Sequence, residues 1–387
     1  MSLGTIKSAI TRNLINIPGW RTTKKIVVIE SDDWGSIRMH SKEAYNYFLT
    51  KGFPVDKCPF NSFDTLECNE DLEMLFDVLG SVKDLNGSPA VLTANAVMAN
   101  PDFQKIRESG FQKYYYEPFT KTLERYPAHD QVYALYQQGI KEKLFKPQFH
   151  GREHLNMARW MRALQGGDVY ASMAFDWNMF SFHTGINSSC RSEYCDAFAA
   201  ESPEELLQLE TILVDGLHLF HQLMGYRSRT CIAPCYTWSR EVEDILSDNG
   251  VRALQGIALQ SEPILGNGGS YKKKYHYTGQ RNHRAQCYIV RNCFFEPSLT
   301  VGLDPVPDCL ARMRTAFAWH KPVVISTHRL NFMGFLNSSN RERNLNHFKR
   351  LLIALTTHWP DVEFLSSDQL IDLISGNVDH EVNSSVI

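Results

Sequence analysis

Two adjacent carboxylates, Asp32 and Asp33, close the segment that opens with the apolar run Ile26–Ile29. Like charges at the end of a buried strand are costly unless one takes up a proton or a divalent cation sits between them. The competing reading is a solvated turn in which Asp32 caps a following helix. Far downstream, His150 and His154 stand four residues apart. On a helical turn that spacing puts both imidazoles on one face, about 6 Å apart, near enough to share a cation. With fourteen histidines in the chain such a spacing arises readily by chance, so position carries the argument. The pair directly follows the short segment Phe145–Phe149, as the aspartates follow theirs, and a further histidine, His328, ends the apolar stretch Pro322–Thr327. Two imidazoles, one carboxylate and an open position for water are the ligand set of a hydrolytic metal site. His218 and His221, three apart on an amphipathic segment, read as structural.

The elements that must position these groups alternate in kind. Ile26–Ile29, Pro89–Val97, Phe145–Phe149, Thr230–Ala233, Ala253–Gly256, Cys287–Phe295, Pro322–Ser326 and Val362–Leu365 read as buried strands. Between them, helical spacing marks Glu70–Val82, Gln131–Lys143, His154–Leu164, Pro203–Met224, Arg240–Ser247, Pro307–Trp319 and Asn340–Thr357, and Ser367–Ile374 closes the series. About seven such repeats, with no glycine-rich dinucleotide loop, argue for an α/β fold in which a parallel sheet closes as a distorted barrel. Catalytic residues of such folds sit at the C-terminal ends of strands, where Asp32 and Asp33, His150 and His328 all fall. One catalytic domain over 1–375 is expected, with insertions near 98–143 and 168–200 and a disordered tail over 376–387. The aromatic stretch Pro101–Pro127 is expected to pack on its own side chains, and Asn267–Arg284 to be an exposed loop.

Composition excludes several classes. A formal charge of −3, from 40 basic and 43 acidic residues, leaves no footprint for a phosphate backbone, so nucleic acid is not an expected partner. Nine cysteines with no C-x-x-C pair suit reduced, mostly buried thiols and a cytoplasmic location. Residues 1–20 show no continuous apolar core of a signal peptide, and no run approaches the roughly 20 apolar residues of a membrane span.

Taken in order, these motifs resemble those of the polysaccharide deacetylases, the NodB-homology or family-four carbohydrate esterases. Glu30-Ser31-Asp32-Asp33-Trp34-Gly35 is similar to [ST]-F-D-D-G with Trp34 inserted, and His150 and His154 meet H-[ST]-x-x-H with Gly151 at the Ser/Thr position. Ala233-Pro234-Cys235-Tyr236 echoes R-x-P-Y without its arginine, and Val324–His328 partly matches the apolar strand leading to L-x-H. The resemblance implies a seven-stranded distorted barrel that hydrolyses an acetyl group from a sugar or polysaccharide. It implies Asp33, His150 and His154 as ligands of a divalent ion, zinc first, with cobalt, manganese or nickel as alternatives. It implies Asp32 as general base, Tyr236 as an oxyanion donor through its backbone N–H, and His328 as general acid. For the missing arginine that pairs with the base, Arg229, Arg291 and Arg152 are the alternatives, with Arg291 preferred. Glu296, at the end of the Cys287–Phe295 strand, is the carboxylate placed to orient His328, or else begins a helix before Pro297. Trp34, Trp177 and Phe180 are candidates to stack on a sugar ring, with core or lid packing the favoured reading of any one of them. The competing functions are a related glycoside hydrolase and a barrel that only binds glycan.

Overall fold

A computed structural model describes residues 3–186, 194–266 and 269–376. Nine strands form its main sheet: β1 (Lys25–Trp34), β2 (Leu92–Ala96), β3 (Phe145–Phe149), β4 (Thr230–Ile232), β5 (Ala253–Gly256), β6 (Cys287–Val290), β7 (Cys293–Phe294), β8 (Val323–His328) and β9 (Val362–Phe364). They lie in the order β6-β5-β4-β3-β2-β1-β8-β7, with β9 paired to the start of β1. Every pairing is parallel. Between successive strands run helices such as Asn69–Gly80, Val132–Lys141, Pro203–Met224 and Val306–Ala318.

The two ends of this order, β6 and β7, are separated in the chain only by Arg291 and Asn292. The Arg291 amide donates to Gly256 O of β5 at 2.8 Å, and the Asn292 amide to Val324 O of β8 at 3.1 Å. Within two residues the backbone therefore steps from one margin of the sheet to the other, an arrangement consistent with a barrel-like fold. The count is nine where seven were expected. Cys287–Phe295, read as one strand, is broken at this step, and the short β9 adds a further strand beside β1.

The continuous apolar run of β1 is that of a parallel strand buried on both faces. Side chains alternate along it. Val27 and Ile29 join the large cluster beneath the helices, whereas Ile26 and Val28 meet Ala253, Cys287, Ile289 and Val324 in a second cluster, closed by Leu370 and Ile371 of the final helix. Glu30 and Asp32 continue the second series. The same alternation that fills the interior with aliphatic side chains thus delivers two carboxylates into it.

Several expectations are corrected. Helix formation after β3 starts at Met157 rather than His154, so the histidine pair lies on a loop. Within the expected exposed loop, Tyr271–Tyr275 pairs antiparallel with Leu259–Pro263, stitched by Lys273 to Ser261 and Lys274 to Glu262. The aromatic stretch packs on later segments rather than on itself: Phe103, Phe111 and Tyr114 meet Trp160 and Phe175. Residues 187–193 of the second insertion, and the tail beyond Gly376, lie outside the described residues. No helix among the described residues is long and apolar enough to cross a membrane. Phe145 is fully buried and meets Trp34, Tyr136 and Phe76 with ring centroids 5.1, 4.8 and 5.7 Å away. Phe145→Ala is expected to lower stability by about 3–5 kcal/mol in a denaturant titration.

Candidate functional site

The site begins with a defect in β1. Ser31 is in register with Ala94 and Trp34 with Ala96, so two residues of β1, Asp32 and Asp33, lie opposite the single Asn95 of β2. This is a bulge, and Asp33 occupies it with φ +75°, a left-handed conformation that Asp adopts more readily than most residues. Regular alternation would send neighbouring side chains to opposite faces; the bulge turns both carboxylates into one cavity.

Asp33 Oδ1 lies 3.4 Å from His150 Nε2 and 3.2 Å from His154 Nε2, and all three residues are buried. The donor atoms of the three lie within 4.8 Å of one another. The loop brings the imidazoles together without a helical turn because Gly151 has φ +112°; a Cβ there would come within 2.9 Å of Glu153 O. That accounts for glycine where the resemblance calls for Ser or Thr. His150 Nδ1 donates to Ile232 O at 2.8 Å, which turns Nε2 towards the carboxylate. Burial, the largest influence, drives the His154 pKa down to about 3, so this ring is neutral. Burial alone would raise the Asp33 pKa, but His154, Arg38 and His150 hold it well below the usual carboxylate range. A buried carboxylate facing two imidazoles suits a divalent cation, and two nitrogens and one oxygen are a zinc-type donor set.

Asp32 is held differently. Arg291, fully buried at the step between β6 and β7, donates Nη1 to Asp32 Oδ2 and Nη2 to Oδ1, both at 2.6 Å, and Nε to Glu30 Oε2 at 2.6 Å. Asn95 adds a bond to Asp32 Oδ1 at 2.7 Å. Burial would raise the Asp32 pKa; the guanidinium outweighs it and, with His328 and His150, lowers it to about 2. His328 Nε2 is 3.8 Å from Asp32 Oδ2, and its Nδ1 bonds Glu296 Oε1 at 2.7 Å. Burial pulls the His328 pKa down, but Glu296, Asp32 and Asp33 together raise it to about 10. Asn331 fixes the other Glu296 oxygen at 2.7 Å.

A cavity of about 520 Å³ opens over these groups. The structure thus gathers Asp32, Asp33, His150, His154, Arg291, Glu296 and His328 at one centre. Tyr236 also lines the cavity, but its amide donates to Ala233 O at 3.0 Å, and the part facing the site is the hydroxyl, 3.3 Å from Arg291 Nη1. The expected backbone donor is therefore already engaged. Trp34 and Trp177 do not line the cavity. Past the bulge, Trp34 turns into the core, fully buried, and bonds Ser31 Oγ at 3.0 Å. Trp177 packs on Tyr47 with centroids 4.8 Å apart. Phe180 does line the cavity, beneath the Arg38 guanidinium at 5.1 Å. His218 and His221 are exposed on the helix Pro203–Met224, away from this centre.

Several polar neighbours went unread in the sequence. Arg38 Nη2 is 3.6 Å from Asp33 Oδ2 and its Nε 3.4 Å from Asp64 Oδ2. Asp64 and Glu67 in turn hold the buried Arg329, and Glu67 accepts the Gly35 amide, which ties down the turn after the bulge. Glu30 could have been found: it is a charged residue two before Asp32, hence on the same strand face. Arg38, Asp64 and Glu67 come from irregular segments and leave no periodic signal.

No protein-family model matches the chain, and no curated protein sequence matches it. Among solved structures, a putative polysaccharide deacetylase from Mycobacterium smegmatis superposes with a TM-score of 0.44 at 10% identity, over 96% of this chain and 98% of that one. PuuE allantoinase gives 0.41 at 10% identity, over 92% and 91%. A 4-alpha-glucanotransferase from Thermococcus litoralis gives 0.46 at 8% identity, and there the match spans 90% of this chain but only 40% of the other. Because Arg291 is the cation between two buried carboxylates, Arg291→Met is expected to cost about 3–5 kcal/mol of stability by thermal or denaturant unfolding.

Proposed function

We propose that the protein is a divergent member of the polysaccharide deacetylase superfamily, a metal-dependent hydrolase that removes acetyl groups from a carbohydrate. The observation that carries this reading is the meeting, at one cavity floor, of a buried Asp/His/His donor set with an arginine-clamped carboxylate and a carboxylate-backed histidine. On the same reading β6 and β7 are one strand broken at Arg291 and Asn292, and β9 is an appendage of β1. The sheet is then a seven-stranded distorted barrel.

Asp33, His150 and His154 would hold the ion, zinc by the donor set, with cobalt, manganese or nickel able to replace it. When bound, the ion polarises an acyl carbonyl and acidifies a water, which a base as weak as Asp32 requires. Asp32 stays ionised and oriented by Arg291 and accepts the proton on its Oδ2 side, which faces His328. His328, protonated at neutral pH, delivers a proton from Nε2 to the leaving nitrogen or oxygen while Glu296 stabilises its charge. The Tyr236 hydroxyl, polarised by Arg291, is the group of that residue available to a developing oxyanion. Glycoside cleavage would instead need two carboxylates flanking the bond at a defined separation, and Glu296 is already bonded to His328 and Asn331.

Elemental analysis should find about one divalent ion per chain, and acetylated sugars should release acetate without new reducing ends. Asp33→Ala and His150→Ala should lose the ion and lower that release about 10²-fold or more. An absence of bound metal in the parent protein would remove this reading. Glu296 also sets a pH dependence. Its charge stabilises the imidazolium, so Glu296→Gln lowers the His328 pKa and shifts the alkaline fall-off of kcat/KM, where the acid loses its proton, to lower pH.

A further inference from the structure

The floor of the cavity is ionic, and its walls mix polar residues, among them Asp168, Ser181 and His183, with a large apolar share. Above the donor set the lining includes Met39, Phe60, Met179, Phe180, Phe182 and Leu299. Three polar wall residues are engaged with nearby backbone. Asn61 Oδ1 accepts the His183 amide at 2.8 Å, Asp168 Oδ1 the Ala171 amide at 2.8 Å, and Thr184 Oγ1 the Ile186 amide at 3.3 Å. A bare polysaccharide brings hydroxyls that need partners along its whole length, and buried hydroxyls left unpaired are penalised.

The apolar surface has a direction. His328 marks the side of the leaving group, and there Phe60 sits edge-on to its ring with centroids 5.8 Å apart. Leu299 follows Glu296 by three residues. Further along the chain the aliphatic residues stay exposed: Leu299, Val301 and Leu303 are 41, 57 and 67% exposed. Large aliphatic side chains exposed in series, beginning at a residue that lines the cavity, mark a surface that something apolar covers.

We propose that the leaving group of the substrate carries an apolar chain, as in an acylated sugar joined to an alkyl or isoprenoid tail. The tail lies along Phe60 and Leu299 and leaves the protein over Val301 and Leu303. The direction of this placement rests on the deacetylase reading, because only that reading makes the His328 side the leaving-group side.

The test compares methyl, octyl and farnesyl glycosides of N-acetylglucosamine with zinc-loaded protein, below the micellar range. Acetate release from the octyl or farnesyl compound is expected to exceed that from the methyl compound at least about tenfold in kcat/KM, carried by KM. The better of the two tells a straight tail from a branched one. Phe60→Ser and Leu299→Ser, at partly exposed positions, should bring that ratio towards one, and a ratio is unaffected by loss of folded protein. Equal turnover of all three glycosides overturns the proposal, as does a preference for methyl N-octanoylglucosaminide, which would put the chain on the acyl side. A second measurement uses octyl glucoside, which has no acyl group, titrated by calorimetry. Saturable binding weakened by Phe60→Ser supports the tail site even if no glycoside is hydrolysed, and in that case the deacetylase reading fails alone. Neither binding nor turnover overturns both.

Discussion

The structure depends on a single guanidinium. Arg291 lies where the backbone crosses from β5 to β8, and from there it satisfies Glu30 and Asp32, two carboxylates that β1 carries into the interior. Buried carboxylates without a cation would take up protons or draw in water. With it, the first strand can be buried on both faces and still end in charge. The position is therefore architectural and chemical at once, since the contact that makes the interior tolerable also keeps Asp32 ionised and aimed.

Around that clamp the active groups divide into two electrostatic compartments. Asp33 and its two imidazoles form a buried donor set with Arg38 at its side. Asp32 and His328, each backed by an opposite charge, are held in ionised forms. The bulge in β1 keeps the compartments adjacent but separate, because it turns two consecutive side chains into one cavity with different partners. Arg38 reaches both Asp33 and Asp64 and lies over the Phe180 ring, which links the donor set to the cavity wall.

Much of this was legible from residue types. Strand-end positions pointed to Asp32, Asp33, His150 and His328, and the family resemblance, which asks for an arginine beside the base and a carboxylate beside the acid histidine, pointed to Arg291 and Glu296. What escaped was set by local backbone geometry. A histidine pair at i and i+4 looks helical until a left-handed glycine inside it permits another route. Trp34 looks exposed beside two aspartates until a bulge swings it into the core. A broken strand and a whole one share the same apolar pattern, so the step at Arg291 and Asn292 could not be counted in advance. Arg38 and Asp64 act through loops, where periodicity carries no information.

The clamp also fixes an order of assembly. Arg291 and Glu30 are 261 residues apart. During synthesis, β1 emerges long before its counter-ion exists, so the nascent chain cannot sequester its opening strand with both acids charged. Early helices can dock in that interval, but the interior stays wet until the last third of the polypeptide is available. Competence for chemistry and completion of the interior thus arrive in the same late event.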